Sequence, residues 1–345
     1  MKVKVLKLAS LATLLFFSTL LILGGNASAA ADKVYKWRCQ VHLPSASTSF
    51  KPSCEGLVNK LQERTNGRLQ IELYPAGSLI PSKEIFNSVK RGMIQMGMAA
   101  ASYYRDQVPL ANVGSGLPFN FKDTWEAAYY YQTLGFEKMM RTECAKHGVY
   151  YSTDKVIPTE LCLKKSVTSL DDFKGLKLRS SGVSQLFLTS IGAAASYFPG
   201  PEVYPALASG VVDGAHWGGI GGNYTMGLYE IAKYQFKPSL NITGMETWLI
   251  NQKAIDKLPK DMQDIVYSTL KEHFWEITNL NSFLENEKLS KIQKELGVTV
   301  CSPSDEEFSK IQKEAIKMWD KVAKKGPQCA KAVQMLKDFN TSMGR

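Results

Sequence analysis

The chain is 345 residues long, with 42 Lys and Arg against 32 Asp and Glu and a formal net charge of +10. The excess is spread along the sequence rather than gathered in one block, which fits solvated surface lysines and argues against a nucleic-acid surface. There are 4 histidines and no G-x-S-x-G elbow, H-E-x-x-H pair or P-loop, so no catalytic motif stands out.

Residues 1–30 read as an export signal. Lys2, Lys4 and Lys7 make a basic start, Leu8 to Leu23 is apolar and uncharged, and Ala27-Ser28-Ala29 offers a small-residue cleavage site. The apolar run falls short of the roughly 20 residues that a membrane span needs. No Cys sits at the cleavage site, which argues against a lipid anchor. Removal of the signal leaves about 315 residues, enough for two domains of ordinary size.

The first strand is predicted in KVYKWRCQVHL, where Trp37, Cys39 and Val41 alternate onto one face. A polar loop, PSASTS, leads to a helix whose apolar face is Phe50, Cys54, Leu57, Val58 and Leu61. The turn TNGR ends it, RLQIELY is the next strand, SKEIFNSVKRG a helix and MIQMGMAA a buried strand. A long aromatic helix comes next, near DTWEAAYYYQTLGFEKMMRTECAKHG. This alternation predicts α/β architecture with largely parallel sheets. VIPTELCLKK and ITGMETWLINQ are extended apolar runs, longer than a compact hairpin strand needs.

Between those two runs, FKGLKLRSSG places Arg179 at the end of a short strand, before a Gly/Ser turn and an apolar-periodic helix. VVDGAHW then gives a second strand that ends in small residues around an aromatic. Strand ends facing helix N-termini are where open α/β folds bind small ligands. A guanidinium there can grip a carboxylate through two parallel hydrogen bonds. YPAGSLIPSKEIFNSVKRGMIQMGMA and YFPGPEVYPALASGVVDGAHW form a weak internal repeat, consistent with two lobes of related design. The tail is helical. DMQDIVYSTLKEHFWEITNLNSFLENEKLSKIQKEL holds no Pro or Gly, and a strand, VTVCSP, and an amphipathic helix come after it.

The segments LYPAGSLI, FKGLKLRSSG, PEVYPALASGVVDGAHW and LINQKAIDKLPKDMQ resemble the solute-binding proteins of TRAP transporters, the DctP-type family, nearest to its keto-acid and lactate-binding branch. The resemblance covers almost the whole chain after the signal. It implies a two-lobed α/β periplasmic binding protein fold with a central cleft, hinge strands and a long C-terminal helix. Lobe I would take residues 31–155 and 245–280, and lobe II residues 156–244 and 281–345 with the C-terminal helices. The implied role is a periplasmic receptor that captures a small organic anion, an oxo, hydroxy or aromatic acid, and delivers it to membrane subunits. A small sulfonate, an amine-containing acid, or service to a membrane sensor are the alternatives. Neither an enzyme nor a nucleic-acid binder is implied. In some members the long helix mediates a dimer.

The resemblance also assigns residues. Arg179 matches the family's carboxylate-binding arginine, and Trp217 the aromatic that packs on the ligand. His216 stands where relatives carry a Glu that helps hold a bridging cation, and Pro158 or Thr159 where they carry Gln. No metal and no cofactor are therefore expected, and His216 becomes a candidate hydrogen-bond partner of the anion. Tyr103 and Tyr104 match an aromatic pair that reaches the cleft. His42 with the Ser45–Ser49 loop, Glu160, Asn223 and Glu246 lie on cleft or hinge segments and are further candidates. Asp213 reads as structural. The six cysteines of an exported chain suggest disulfides, of 15 possible connectivities. Neighbours in sequence are expected to pair: Cys39 with Cys54, Cys144 with Cys162, and Cys301 with Cys329.

Overall fold

A computed structural model describes residues 33–345. The signal expected over residues 1–30 lies outside the described residues.

The sequence from Tyr35 builds a five-stranded sheet. Its members are β1 (Tyr35–Val41), β2 (Leu69–Tyr74), β3 (Met96–Ala100), β4 (Val149–Thr153) and β10 (Glu246–Asn251), in the order β2-β1-β3-β10-β4. The second sheet has six strands: β5 (Ile157–Leu163), β6 (Lys177–Arg179), β7 (Ala194–Ser196), β8 (Gly214–His216), β9 (Tyr234–Thr243) and β11 (Thr299–Cys301). Their order is β11-β9-β5-β8-β6-β7.

The sheets are mixed, not largely parallel as the strand–helix alternation predicts. β1 runs parallel to β2 and β3, and β6 parallel to β7 and β8. β10 inserts antiparallel between β3 and β4, and β5 antiparallel between β8 and β9. The cause is the chain's path. It leaves the first sheet from β4 into β5 and returns from β9 into β10, so the strands that carry it across run against their neighbours. β4 pairs with β10, and β5 with β9, so the two crossings at residues 154–156 and 244–245 lie side by side. The first crossing leads into the extended run that starts at Val156, and the second lies within the run that starts at Ile242.

Helices cover both sheets. α1 (Gly56–Arg64) buries Leu57, Val58 and Leu61 in one core with Trp37, Cys39 and Trp248. α2 (Phe136–Ala145) buries Phe136, Met140 and Cys144 beneath β4. α3 (Gly182–Ser190) follows β6, and α4 (Ile220–Thr225) follows β8. α5 (Lys260–Leu296) is 37 residues, about 55 Å at 1.5 Å per residue. The absence of Pro and Gly inside it lets it run unbroken, and Gly297 at φ 64° ends it in the left-handed conformation that a C-terminal cap requires. Met262, Val266 and Leu270 enter the α1 core, while Ile292 enters the core beneath α4.

α6 (Asp305–Ala323) is capped by Ser304, whose hydroxyl accepts from Glu307 N at 3.3 Å. α7 (Pro327–Ser342) packs against α6. Trp319 Nε1 donates to Pro118 O at 2.9 Å and Tyr130 Oη to Ala332 O at 2.8 Å, which ties this helical pair to the aromatic segment near residues 118–136. Among the described residues no helix is long and apolar enough to cross a membrane.

The expected disulfides are not formed. All six cysteines are free and buried. Cys144 sits in the core beneath β4, whereas Cys162 on β5 belongs to the separate core around α4 and turns its Sγ to Ala215 O at 3.4 Å. Cys54 Sγ rests 3.9 Å from Met98 Sδ, in the same core as Cys39 but not bonded to it. Cys301 and Cys329 likewise share a core without a bond. Each thiol fills apolar space as a small hydrophobe.

Candidate functional site

The carboxyl ends of strands from both sheets converge on one cavity of about 640 Å³, its open mouth included. From the first sheet come His42 and the Ser47–Ser49 loop after β1, Tyr103 after β3, and Glu246 at the start of β10. From the second come Ile157, Arg179 at the end of β6, and Trp217 with Gly218 and Gly219 after β8. The long helix α5 adds Asn281 and Glu285, four residues apart and so on one helical face.

Arg179 is 3% exposed. Leu178 anchors β6 in the core, and the parallel ladder to β7 and β8 fixes where the strand ends. The guanidinium donates from Nη1 to His216 O at 2.8 Å and from Nε and Nη2 to Phe198 O at 3.2 and 3.1 Å. Tyr197 lies under it, 5.6 Å from ring centre to Cζ. Its partners are neutral carbonyls; among the described residues no carboxylate is within salt-bridge distance of it. Three of its five N–H donors are used, which leaves one on each terminal nitrogen. Burial pulls its pKa down, the mark of a cation held without a counter-charge.

His216 supports this arginine. Its carbonyl is one of the two acceptors, and its ring lies outside the cavity lining, with Nδ1 3.1 Å from Ser180 Oγ and Nε2 3.4 Å from Asn241 Nδ2. Asn241 donates to Nε2, so Nδ1 carries the proton. Burial, with the nearby Arg179 charge, lowers its pKa to about 3, and the ring is neutral. Asp213 holds the strand end: its Oδ2 accepts from Lys177 N at 2.9 Å. Trp217 packs so closely on Gly200 that a Cβ there would stand 3.0 Å from Nε1.

On the facing side, His42 presents a buried Nε2 with no partner among the described residues. Burial, with Lys155 adding to it, lowers its pKa to about 3. Tyr103 meets His42 edge-on at 5.5 Å and Tyr197 at 5.9 Å. Glu246 pairs through Oε2 with Lys155, which also bonds Asp154 Oδ2 at 2.8 Å. Asp154 accepts further from Ser53 Oγ at 2.5 Å, Trp248 Nε1 at 2.7 Å and His273 Nε2 at 3.2 Å. Burial works to raise the Asp154 pKa, but Lys155 and His273 outweigh it and hold the carboxyl well below its usual range. Burial likewise works against the Lys155 charge, and the two carboxylates outweigh it.

Three candidates stand elsewhere. Tyr104 is fully buried, stacked on Phe86 at 4.8 Å with its hydroxyl 2.9 Å from Thr247 Oγ1. Glu160 faces the sheet interior and accepts from Gln235 Nε2, Lys237 Nζ and Ser239 Oγ at 2.8, 2.5 and 2.8 Å. Asn223 is fully buried within α4, behind Gly218. Sequence reasoning passes over Asn281 and Glu285. The only local signal is a polar pair at helical spacing, which every solvated helix also shows.

His216 and Thr159, at the positions where relatives would hold a bridging cation, are not placed to ligate one. Both ring nitrogens of His216 are already engaged, and Thr159, at the position of the relatives' Gln, gives its hydroxyl to Asn241 Oδ1 at 2.9 Å. Among the described residues no group of three or more His, Cys, Asp or Glu is arranged to hold a metal ion.

The monocarboxylate 2-oxoacid-binding periplasmic protein of Nostoc sp. is 25% identical over 306 residues, 88% of this chain and 84% of that protein. The C4-dicarboxylate-binding periplasmic protein DctP of Rhodobacter capsulatus is 26% identical over 267 residues, 76% of each chain. Among solved structures, a TRAP periplasmic solute binding protein from Pseudoalteromonas atlantica with bound sodium and pyruvate superposes with a TM-score of 0.82 at 23% identity, covering 90% of this chain and 95% of that one. One from Colwellia psychrerythraea with calcium and pyruvate gives 0.81 at 24%, covering 90% and 95%. These structures establish the two-lobed fold. Residues 41–325 match the DctP profile, described as bacterial extracellular solute-binding protein, family 7, and the chain belongs to that family.

Proposed function

We propose that the protein is the periplasmic receptor of a TRAP-type transporter, and that it binds a small organic acid with the carboxylate on Arg179. The observation that carries this is the arginine itself: a buried guanidinium at a strand end, paired only with carbonyls, with two N–H groups left over. A carboxylate fits two such donors, and each charge-assisted bond contributes roughly 1.5–3 kcal/mol. Trp217 walls one side, and His42 Nε2 is the second polar contact. Relatives that bind pyruvate, and others of the same fold solved with malonate or pyroglutamic acid, agree with a ligand of this size.

The lobes divide at residues 154–156 and 244–245, and the ligand closes them only by its greater affinity for the closed form. Residues 1–30 direct export and are removed. Trp275 and Phe283 are exposed on α5, at 43% and 65%, and support a dimer through that helix, which light scattering would test.

The direct test is titration calorimetry with a panel of organic acids, chosen by thermal shift. Arg179→Ala should lose at least about 100-fold in affinity, since two bonds of that strength are removed. Arg179→Lys should also bind poorly, because a point charge does not replace the planar fork. Near-normal binding by the Ala variant would end the assignment.

A further inference from the structure

The receptor reading leaves one property of the cavity unused, its charge balance. Its lining carries a single permanent cation, Arg179, and two carboxyl groups, Glu246 and Glu285. Lys155 does not restore the balance, because it is shared between Glu246 and Asp154. His273 does not restore it either. Its Nε2 meets Asp154 Oδ1 at 3.2 Å rather than Glu246, and its Nδ1 is buried with no partner among the described residues. Two carboxylates therefore share one ammonium, and Glu246 keeps Oε1 without a hydrogen bond among the described residues.

Glu285 is the second carboxyl group of the lining. It reaches from α5 to the start of α4, where its oxygens accept from Ile220 N at 2.5 Å and Gly221 N at 3.1 Å. Each oxygen keeps a free lone pair at the cavity wall. Burial first, and then the charge of Glu160, raise its pKa to about 7 in spite of these two donors and of Lys237. Burial resists charge of either sign, but the Glu160 carboxylate and the free lone pairs of Glu285 favour a positive group beside it.

Building on the receptor reading, we infer that the ligand is an acid that also carries a cationic nitrogen, its carboxylate on Arg179 and its nitrogen beside Glu246 and Glu285. A plain monocarboxylate would cancel Arg179 and leave both glutamates of the lining without a counter-charge. An amino acid or a quaternary-ammonium acid brings its own counter-charge.

The groups around Glu285 fix the sign of the pH dependence. They are Glu160 and Lys237 from the second sheet, the amides of α4, Asn281 and Lys288 on its own helix, and Arg179 and Glu246 across the cavity. A bound cation lowers the Glu285 pKa, so its proton leaves on binding. Affinity for a nitrogen-bearing acid then rises as pH rises through about 7 and levels off above it. A plain acid shows the reverse trend, because an ionised Glu285 repels its carboxylate.

The test is a panel of carboxylic acids, each paired with its 2-amino counterpart (propionate and lactate against alanine, and longer chains likewise), screened by thermal shift and titrated from pH 6 to 8. The expected hits are amino members, with affinity rising with pH and falling at least tenfold in Glu285→Gln. The amide is isosteric, and a melt without ligand checks that the fold is kept; the pH arm on the unaltered protein needs no variant. Plain acids that bind through Arg179 as tightly as their amino partners would overturn this inference and leave the receptor reading standing. So would acid binding that appears only with added sodium or calcium, since a metal ion then fills the place of the nitrogen. A panel in which no acid of either kind binds would overturn both.

Discussion

Replacing Lys155 with Met tests the buried charge network behind the cavity. The ammonium is fully enclosed and bonded to Asp154 and Glu246, so its removal leaves two carboxylates facing each other with no cation between them. Breaking a buried pair in this way costs about 3–5 kcal/mol. The loss should show as a lowered urea midpoint at pH 7, read by tryptophan fluorescence. The pH dependence carries the sharper content. Asp154 has a depressed folded pKa, so its contribution is present above the unfolded carboxyl value and is lost as pH falls through the folded one. In the Met variant that depression is gone, and the buried carboxylates take up protons at higher pH. The gap between the two proteins should be widest near pH 7 and narrow toward pH 4. A gap below about 1 kcal/mol at pH 7, or one that stays constant down to pH 4, would refute the account of the network as a coupled set of buried ions.

Gly214→Ala should cost about 1–3 kcal/mol by urea unfolding, because a Cβ there would stand 2.7 Å from Cys162 O and 2.6 Å from Leu163 Cδ2; a neutral result would mean that β5 and β8 can separate freely. All six cysteines should titrate with a thiol reagent in denaturant and none quickly in the native state, and reductant should leave the melting temperature unchanged; fewer than six in denaturant would show a disulfide. Tyr197→Ala removes a ring that sits 4.1 Å from Lys83 Nζ and 5.9 Å from the Tyr103 ring, both on the opposite side of the cavity. Those contacts together contribute about 1–2 kcal/mol, so ligand affinity should fall roughly 5- to 30-fold and X-ray scattering at partial saturation should show a larger radius; no change in either would mean that the ring does not hold the closed form.

Features written in consecutive residues are legible from the sequence. Arg179 stands at a strand end because KLR is a short apolar-flanked strand cut off by Ser-Ser-Gly. The unbroken helix from Lys260 to Leu296 reflects the lack of Pro and Gly across it. Strand direction is not a local property, so the antiparallel insertion of β5 and β10 could not be read from alternation alone. Glu160 and Glu246 look alike in sequence. They part company in the structure because Glu160 turns inward to Gln235, Lys237 and Ser239, while Glu246 sits at the cavity with Lys155 behind it. Glu285 reaches the cavity only because of how α5 is rotated about its axis, which packing at Met262, Val266 and Ile292 decides from a distance. The Cys144–Cys162 pair fails for a related reason: nearness along the chain does not place the two in one core, since Cys144 lies beneath β4 and Cys162 in the core around α4.

The crossings at 154–156 and 244–245 are adjacent, and the middle of α5 is fastened to the first of them, since Thr278 Oγ1 accepts from Val156 N at 3.1 Å. All three spans that join one sheet to the other thus pass through a single narrow pivot. A helix without Pro or Gly bends smoothly rather than kinking, so it works there as a leaf spring laid over a door hinge. Leverage comes from that arrangement. In the lobe closure proposed above, Ile157, Glu246 and Asn281 stand next to the axle and would shift little, whereas side chains carried further out on either sheet would sweep through larger arcs. The inner end of the cavity is thus a fixed seat, and the outer end is the part that arrives.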